Sequence, residues 1–95
     1  MEERQIAQFV LDFSNCTTLG EIYAVIQEKL VLPEWFGGNL DALWDALVGI
    51  MYTPAQITVG RTAKNTNLLD EIDKIIGVMC EAEERYHEIT VIEKD

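Results

Sequence analysis

Three short runs rich in β-branched and aromatic residues, separated by segments of helical period, constrain this chain more than any other feature. Residues 6–13 carry Ile6, Phe9, Val10, Leu11 and Phe13; residues 56–59 set Ile57 and Val59 against Thr58; residues 88–93 carry Ile89, Val91 and Ile92. Each is strand-like. The first is mostly apolar, which predicts a strand covered on both faces. Helical stripes lie between them: Ile22, Val25, Ile26 and Leu30, then Leu40, Leu43 and Leu47, then Leu68, Leu69, Ile72, Ile75, Ile76 and Met79. The order is therefore strand, helix, helix, strand, short helix, helix, strand. Helical crossovers between strands imply a parallel sheet with right-handed connections. The expected fold is a small α/β domain, a three-stranded parallel sheet with three to four helices packed on it, and residues 1–95 form one domain.

Local signals set the boundaries. Thr18 and Glu21 make a capping box for a helix over 19–30, and Pro33 prevents its continuation. Trp35-Phe36-Gly37-Gly38-Asn39 reads as a tight loop ending in an N-cap, followed by a helix over 40–48 that Gly49 is placed to terminate. Residues 60–66 are polar and weakly patterned, with room for one helical turn. A long helix follows over 68–86.

Charge then limits the partners. Seventeen acidic against seven basic residues give a formal net charge of −10, while 48% of the residues are apolar, so the chain has a core and is not an acidic disordered tail. No Lys/Arg patch exists for counterion release, which excludes a binder of the nucleic-acid backbone, and anionic membrane surfaces are disfavoured. No apolar run approaches the ~18 residues of a membrane span. Residues 1–4 lack the basic start of a secretory signal, so a cytoplasmic location is expected, with Cys16 and Cys80 as reduced, small apolar fillers. One histidine, His87, is too little for a metal site, and no cofactor motif is present.

The second helix carries the functional signal. At 100° per residue, Leu40, Leu43 and Leu47 form its core stripe, Asp41 and Asp45 share another face, and Trp44 falls between the two. No basic residue occurs between Lys29 and Arg61. Asp41 is favourable at a helix N-terminus, but Asp45 repels it by roughly 0.2–0.5 kcal/mol at this spacing. Stability does not ask for this arrangement. Phe36 is expected in the core, and Trp35, in a loop beside two glycines, to be partly exposed. Exposed aromatics next to unpaired carboxylates suit a hot-spot patch for a basic partner.

Residues 32–47, LPEWFGGNLDALWDAL, resemble the signature of the barstar family of intracellular ribonuclease inhibitors, and Ile-Thr-Val-Ile at 89–92 is similar to its closing strand. The resemblance extends over essentially the whole chain and is dense in those sixteen residues. It implies a protein inhibitor of a basic, extracellular-type (barnase-like) ribonuclease, whose active site is plugged by the second helix and the loop before it. Carboxylates there stand in for substrate phosphates. By the same resemblance Asp45 is the central carboxylate and Asp41 its companion, Trp35 replaces a tyrosine that covers the catalytic histidine, and Gly37 allows close approach. Asn39 and Leu40 make backbone and packing contacts, Trp44 supports the patch, and Glu81 on the last helix adds a further acidic contact. The free inhibitor is expected to be a monomer. Gly38 and Ile50 depart from the family pattern, and residues 61–67 match it poorly.

Two other readings compete. Paired carboxylates can do acid–base chemistry, but they need a cleft and pKa values pushed apart, which a convex helix does not supply. An acidic protein-binding module for some other basic partner, without nuclease inhibition, shares the physics but not the target.

Overall fold

The computed structural model describes residues 5–51 and 53–94; residues 1–4, on which the reading of no export signal rests, lie outside them. Strand β1 (Ala7–Leu11) is followed by helices α1 (Leu19–Lys29) and α2 (Leu40–Gly49), strand β2 (Ala55–Gly60), a single 3-10 turn (Thr66–Leu68), helix α3 (Leu69–Tyr86) and strand β3 (Ile89–Lys94). The strands form one parallel sheet in the order β1-β2-β3, with Val10 beside Thr58 and Thr58 beside Ile92. This is the expected three-stranded α/β fold, with the polar 60–66 stretch ending in one helical turn.

The sheet corrects one expectation. Phe9 and Leu11 lean on the core, but Val10 on β1 and Ile6 just before it are 60% and 56% exposed. The first strand is covered on one face, not two. Ala55, Ile57 and Val59 are buried on the same side, whereas Gln8, Thr90 and Ile92 face solvent. The reason is topological: right-handed crossovers that always step in one direction leave every helix on a single face of the sheet.

Leu11, Phe13, Ile22, Ile26, Leu43, Leu47, Ile57, Ile72, Ile75, Ile76 and Met79 fill the space between that face and the helices. The described residues bury no charged side chain and leave no buried side-chain polar atom unpaired. Fully burying such aliphatic side chains contributes about 1.5–3 kcal/mol each before the cost of ordering them.

The helix ends show local chemistry at work. Thr18 Oγ1 accepts from the Glu21 N–H, and the Glu21 carboxylate accepts from the Thr17 and Thr18 N–H groups. At the far end of α1, the Leu32 N–H reaches the Gln27 carbonyl at 2.9 Å and the Val31 N–H reaches the Glu28 carbonyl at 3.3 Å. That is a Schellman closure, and Val31 occupies its left-handed position with φ 55°. Gly49 does not act as the expected terminator: α2 includes it and ends at Ile50, whose backbone stays right-handed. The second left-handed non-glycine residue is His87, which closes α3.

Candidate functional site

The loop before α2 is built by its own sequence. The Phe36 N–H closes a turn on the Pro33 carbonyl at 3.0 Å, and Gln27 Nε2 donates to the same carbonyl at 2.8 Å, tying the loop to α1. Gly38 has φ +64°, a conformation that disfavours any side chain. At Gly37 an added Cβ would stand 3.4 Å from both the Ala42 Cβ and the Asn39 Nδ2, in van der Waals contact with the start of α2. Asn39 then caps α2, its Oδ1 accepting from the Ala42 N–H at 2.8 Å.

These constraints present one aromatic outward and keep one inward. Trp35 is 73% exposed. Phe36 is half-buried against the core, with its ring 6.2 Å from Tyr23, so it is less enclosed than expected.

On α2, Leu43, Ala46 and Leu47 are buried and Leu40 is half-buried on the core, as the stripe predicts. Asp41 and Asp45 are exposed, and neither forms an ion pair with another described residue. Three of the cations among the described residues are engaged elsewhere. Arg61 bridges Asp73 on α3 and Glu93 on β3, Lys74 pairs with Glu71, and Lys29 lies beside Glu28. Two like charges one helical turn apart are therefore left to solvent, beside a tryptophan that is also left to solvent.

Trp44 packs half-buried on the core and meets the Tyr86 ring at 6.0 Å, which ties α2 to the end of α3. Sequence reasoning missed Tyr86, because only packing brings residue 86 beside residue 44. Glu81 is exposed on α3, opposite its buried stripe of Ile72, Ile75, Ile76 and Met79. No hydrogen bond or ion pair joins it to the α2 carboxylates. Trp35, Gly37, Asn39, Leu40, Asp41, Trp44 and Asp45 thus form one continuous segment, and Glu81 stands apart on a neighbouring helix.

The remaining reactive groups do not assemble. Burial pushes the Cys80 thiol up, reinforced by Glu93 and Glu83, and burial also raises Cys16. A raised pKa is the opposite of nucleophile activation. Among the described residues no group of three or more His, Cys, Asp or Glu side chains could hold a metal ion. No helix among them is long and apolar enough to cross a membrane.

Residues 6–93 match the family model described as Barstar (barnase inhibitor). The chain belongs to the barstar family. The chain is also 35% identical over 74 residues to the Bacillus subtilis (strain 168) protein named "Putative ribonuclease inhibitor YrdF", an alignment covering 77% of this chain and 78% of that protein. The barstar match covers β1, β2, the three α-helices and β3 up to residue 93, so the acidic α2 and its loop lie inside it.

Proposed function

We propose that this chain is a protein inhibitor of a basic ribonuclease, and that it blocks the active site with α2 and the loop before it. The observation that carries this reading is the pair Asp41 and Asp45, unpaired and exposed on a helix that is otherwise locked to the core, next to the exposed Trp35. Barstar-family membership and the name of the Bacillus relative support it.

The chemistry follows from what a ribonuclease must do. Its substrate is a polyanion, so its active site is cationic. Carboxylates on a rigid helix offer the same charge without a cleavable phosphodiester. Asp45 is the central mimic and Asp41 its companion; Trp35 covers the apolar edge of the site. Asn39 holds the helix start, Gly37 and Leu40 shape the approach, Trp44 braces the surface from beneath, and Glu81 meets the partner from α3. Because helix and loop are pre-formed, little ordering entropy is spent on binding. The net charge of −10 steers the encounter and raises the on-rate at low salt.

The test is titration of the purified protein into basic microbial ribonucleases, barnase included, with RNA cleavage as the readout. Stoichiometric loss of activity at physiological salt is the expected result. Weak association that disappears at modest salt, with RNA cleavage intact across the panel, would identify a generic acidic module and overturn the reading.

A further inference from the structure

The two outer edges of the sheet are finished differently. The Ala7 N–H bonds the Pro54 carbonyl at 3.0 Å, so the odd-numbered residues of β1 point their N–H and C=O groups at β2, and Ile6, Gln8 and Val10 point theirs outward. All three are exposed, and among the described residues nothing bonds those outward groups. On the far side of the sheet the Ala55 N–H bonds the Glu88 carbonyl and the Arg61 N–H bonds the Lys94 carbonyl, so the odd-numbered residues of β3 face outward. That edge is occupied: the Val91 N–H donates to Glu83 Oε2 of α3 at 2.9 Å, and Arg61 holds Glu93 beside it.

The β1 edge also lacks the residues that keep strands apart. No charged residue, proline or glycine occurs between Arg4 and Asp12, in a chain whose net charge is −10, whereas β3 ends in Glu93 and Lys94. An open strand edge without such residues is a template for another strand. We propose that two copies of this chain pair through β1, antiparallel about a two-fold axis, to form one continuous sheet.

The edge matches itself. With the axis passing between the two Gln8 residues, Gln8 lies opposite Gln8 of the second copy, and Ile6 lies opposite its Val10. These are the residues whose backbone groups already point outward, so each such pair exchanges two hydrogen bonds. On the open face the same register sets the exposed Ile6 beside the exposed Val10, a cross-strand contact of β-branched side chains. The two-fold arrangement closes at the dimer, whereas a parallel pairing would leave further edges to fill. Self-match and neutrality together commit the edge to a second copy: two strongly acidic chains approach closely where neither presents a carboxylate.

The contact is small. The 5 residues of β1, at about 3.3 Å each, give a strip about 17 Å long and one strand wide, short of what a stable dimer buries. Association is therefore weak, with a dissociation constant on the order of 0.1–1 mM, and the chain is a monomer at micromolar concentration. The bonds join neutral groups while the two bodies repel, so salt tightens the pair. A complex made through Asp41 and Asp45 responds to salt in the opposite direction. Pairing through β1 is independent of the ribonuclease reading.

The test is a dilution series of the isotopically labelled full chain, from about 2 mM down to about 0.05 mM, followed by amide chemical shifts and sedimentation velocity. Saturable shifts at Ile6, Gln8 and Val10 are expected, with α2 unmoved and sedimentation rising toward that of a dimer. Adding about 0.5 M NaCl should move the midpoint to lower protein concentration. Gln8→Pro removes the central outward N–H at an edge that tolerates proline, and should weaken pairing about ten-fold. Val10→Lys should weaken it at least as much, whereas Ile92→Lys, the same charge change on the same open face but on β3, should leave it intact. Unchanged amide shifts at Ile57 and Ile75 show that each variant is folded. Equal losses from the two lysine variants would identify face-to-face packing of sheets, and concentration-dependent shifts confined to α2 would identify a different interface. Either result, or a chain that stays monomeric to about 2 mM, overturns the proposal. Failure of the ribonuclease titration would leave the dimer standing.

Discussion

Asp45→Lys should make the free protein more stable and useless as an inhibitor. Asp45 is exposed, so no packing is lost. The substitution removes an Asp41–Asp45 repulsion of about 0.2–0.5 kcal/mol and replaces it with an attraction of similar size, with the acidic residue in the favourable N-terminal position. Lysine is also the better helix former, by about 0.3–0.5 kcal/mol. Together these give roughly 0.7–1.5 kcal/mol, or a rise in Tm of roughly 3–10 °C for a domain of this size. Urea unfolding at neutral pH measures the gain, and adding about 1 M NaCl should remove most of the ionic part while leaving the propensity part. Asp45→Asn serves as the control that removes repulsion without adding attraction. In the ribonuclease titration Asp45→Lys should show no inhibition, because a cation now faces a cationic site. A variant that is no more stable than the wild type would refute the claim that the helix is held in an electrostatically unfavourable arrangement. A variant that gains stability and still inhibits would refute the role given to Asp45.

Three further outcomes are expected. Val31 is 70% exposed in the left-handed position of the Schellman closure, so Val31→Gly should stabilise by about 0.5–1 kcal/mol, the relief of Cβ strain less the extra freedom of the unfolded chain, seen as a higher urea midpoint. The Glu21 carboxylate is held below its ordinary pKa of 4.5, first by its bond from the Thr17 N–H and then by the Thr17 hydroxyl and Thr18. A depressed folded-state pKa contributes stability that is complete above the unfolded value and lost as pH falls through the folded one. Glu21→Gln should therefore unfold at lower urea than wild type at pH 7, and the gap should close in acid; a gap independent of pH would contradict the charge-assisted cap. In ribonuclease binding, Asp45→Ala should cost more than Glu81→Ala, with about 2–5 kcal/mol at stake for a carboxylate buried against a cation, and equal losses would refute that ranking.

Much of the candidate site was legible because the forces that build it are local. The 3.6-residue period separates Leu43 and Leu47 from Asp41 and Asp45 without reference to the rest of the molecule. Caps at Thr18 and Asn39 are short-range hydrogen bonds written within four residues. The exposure of Trp35 follows from glycines at 37 and 38 that hold its loop in a tight turn. The absence of any cation between residues 30 and 60 showed that Asp41 and Asp45 would have to look elsewhere for a partner.

Tertiary structure decided the rest. An apolar first strand does not tell whether one or two faces are covered; that depends on strand order, and the order β1-β2-β3 put all helices on one side and left Ile6 and Val10 to solvent. Val31 and His87 take left-handed backbone where composition would have placed glycine, because the chain must turn there to keep Leu32 and Ile89 in the core. Tyr86 against Trp44 joins residues more than 25 positions apart. Periodicity and capping act over a turn of helix and can be read from the chain; contacts made by the packing of one helix on another depend on the position of every element at once, and only the folded molecule supplies that.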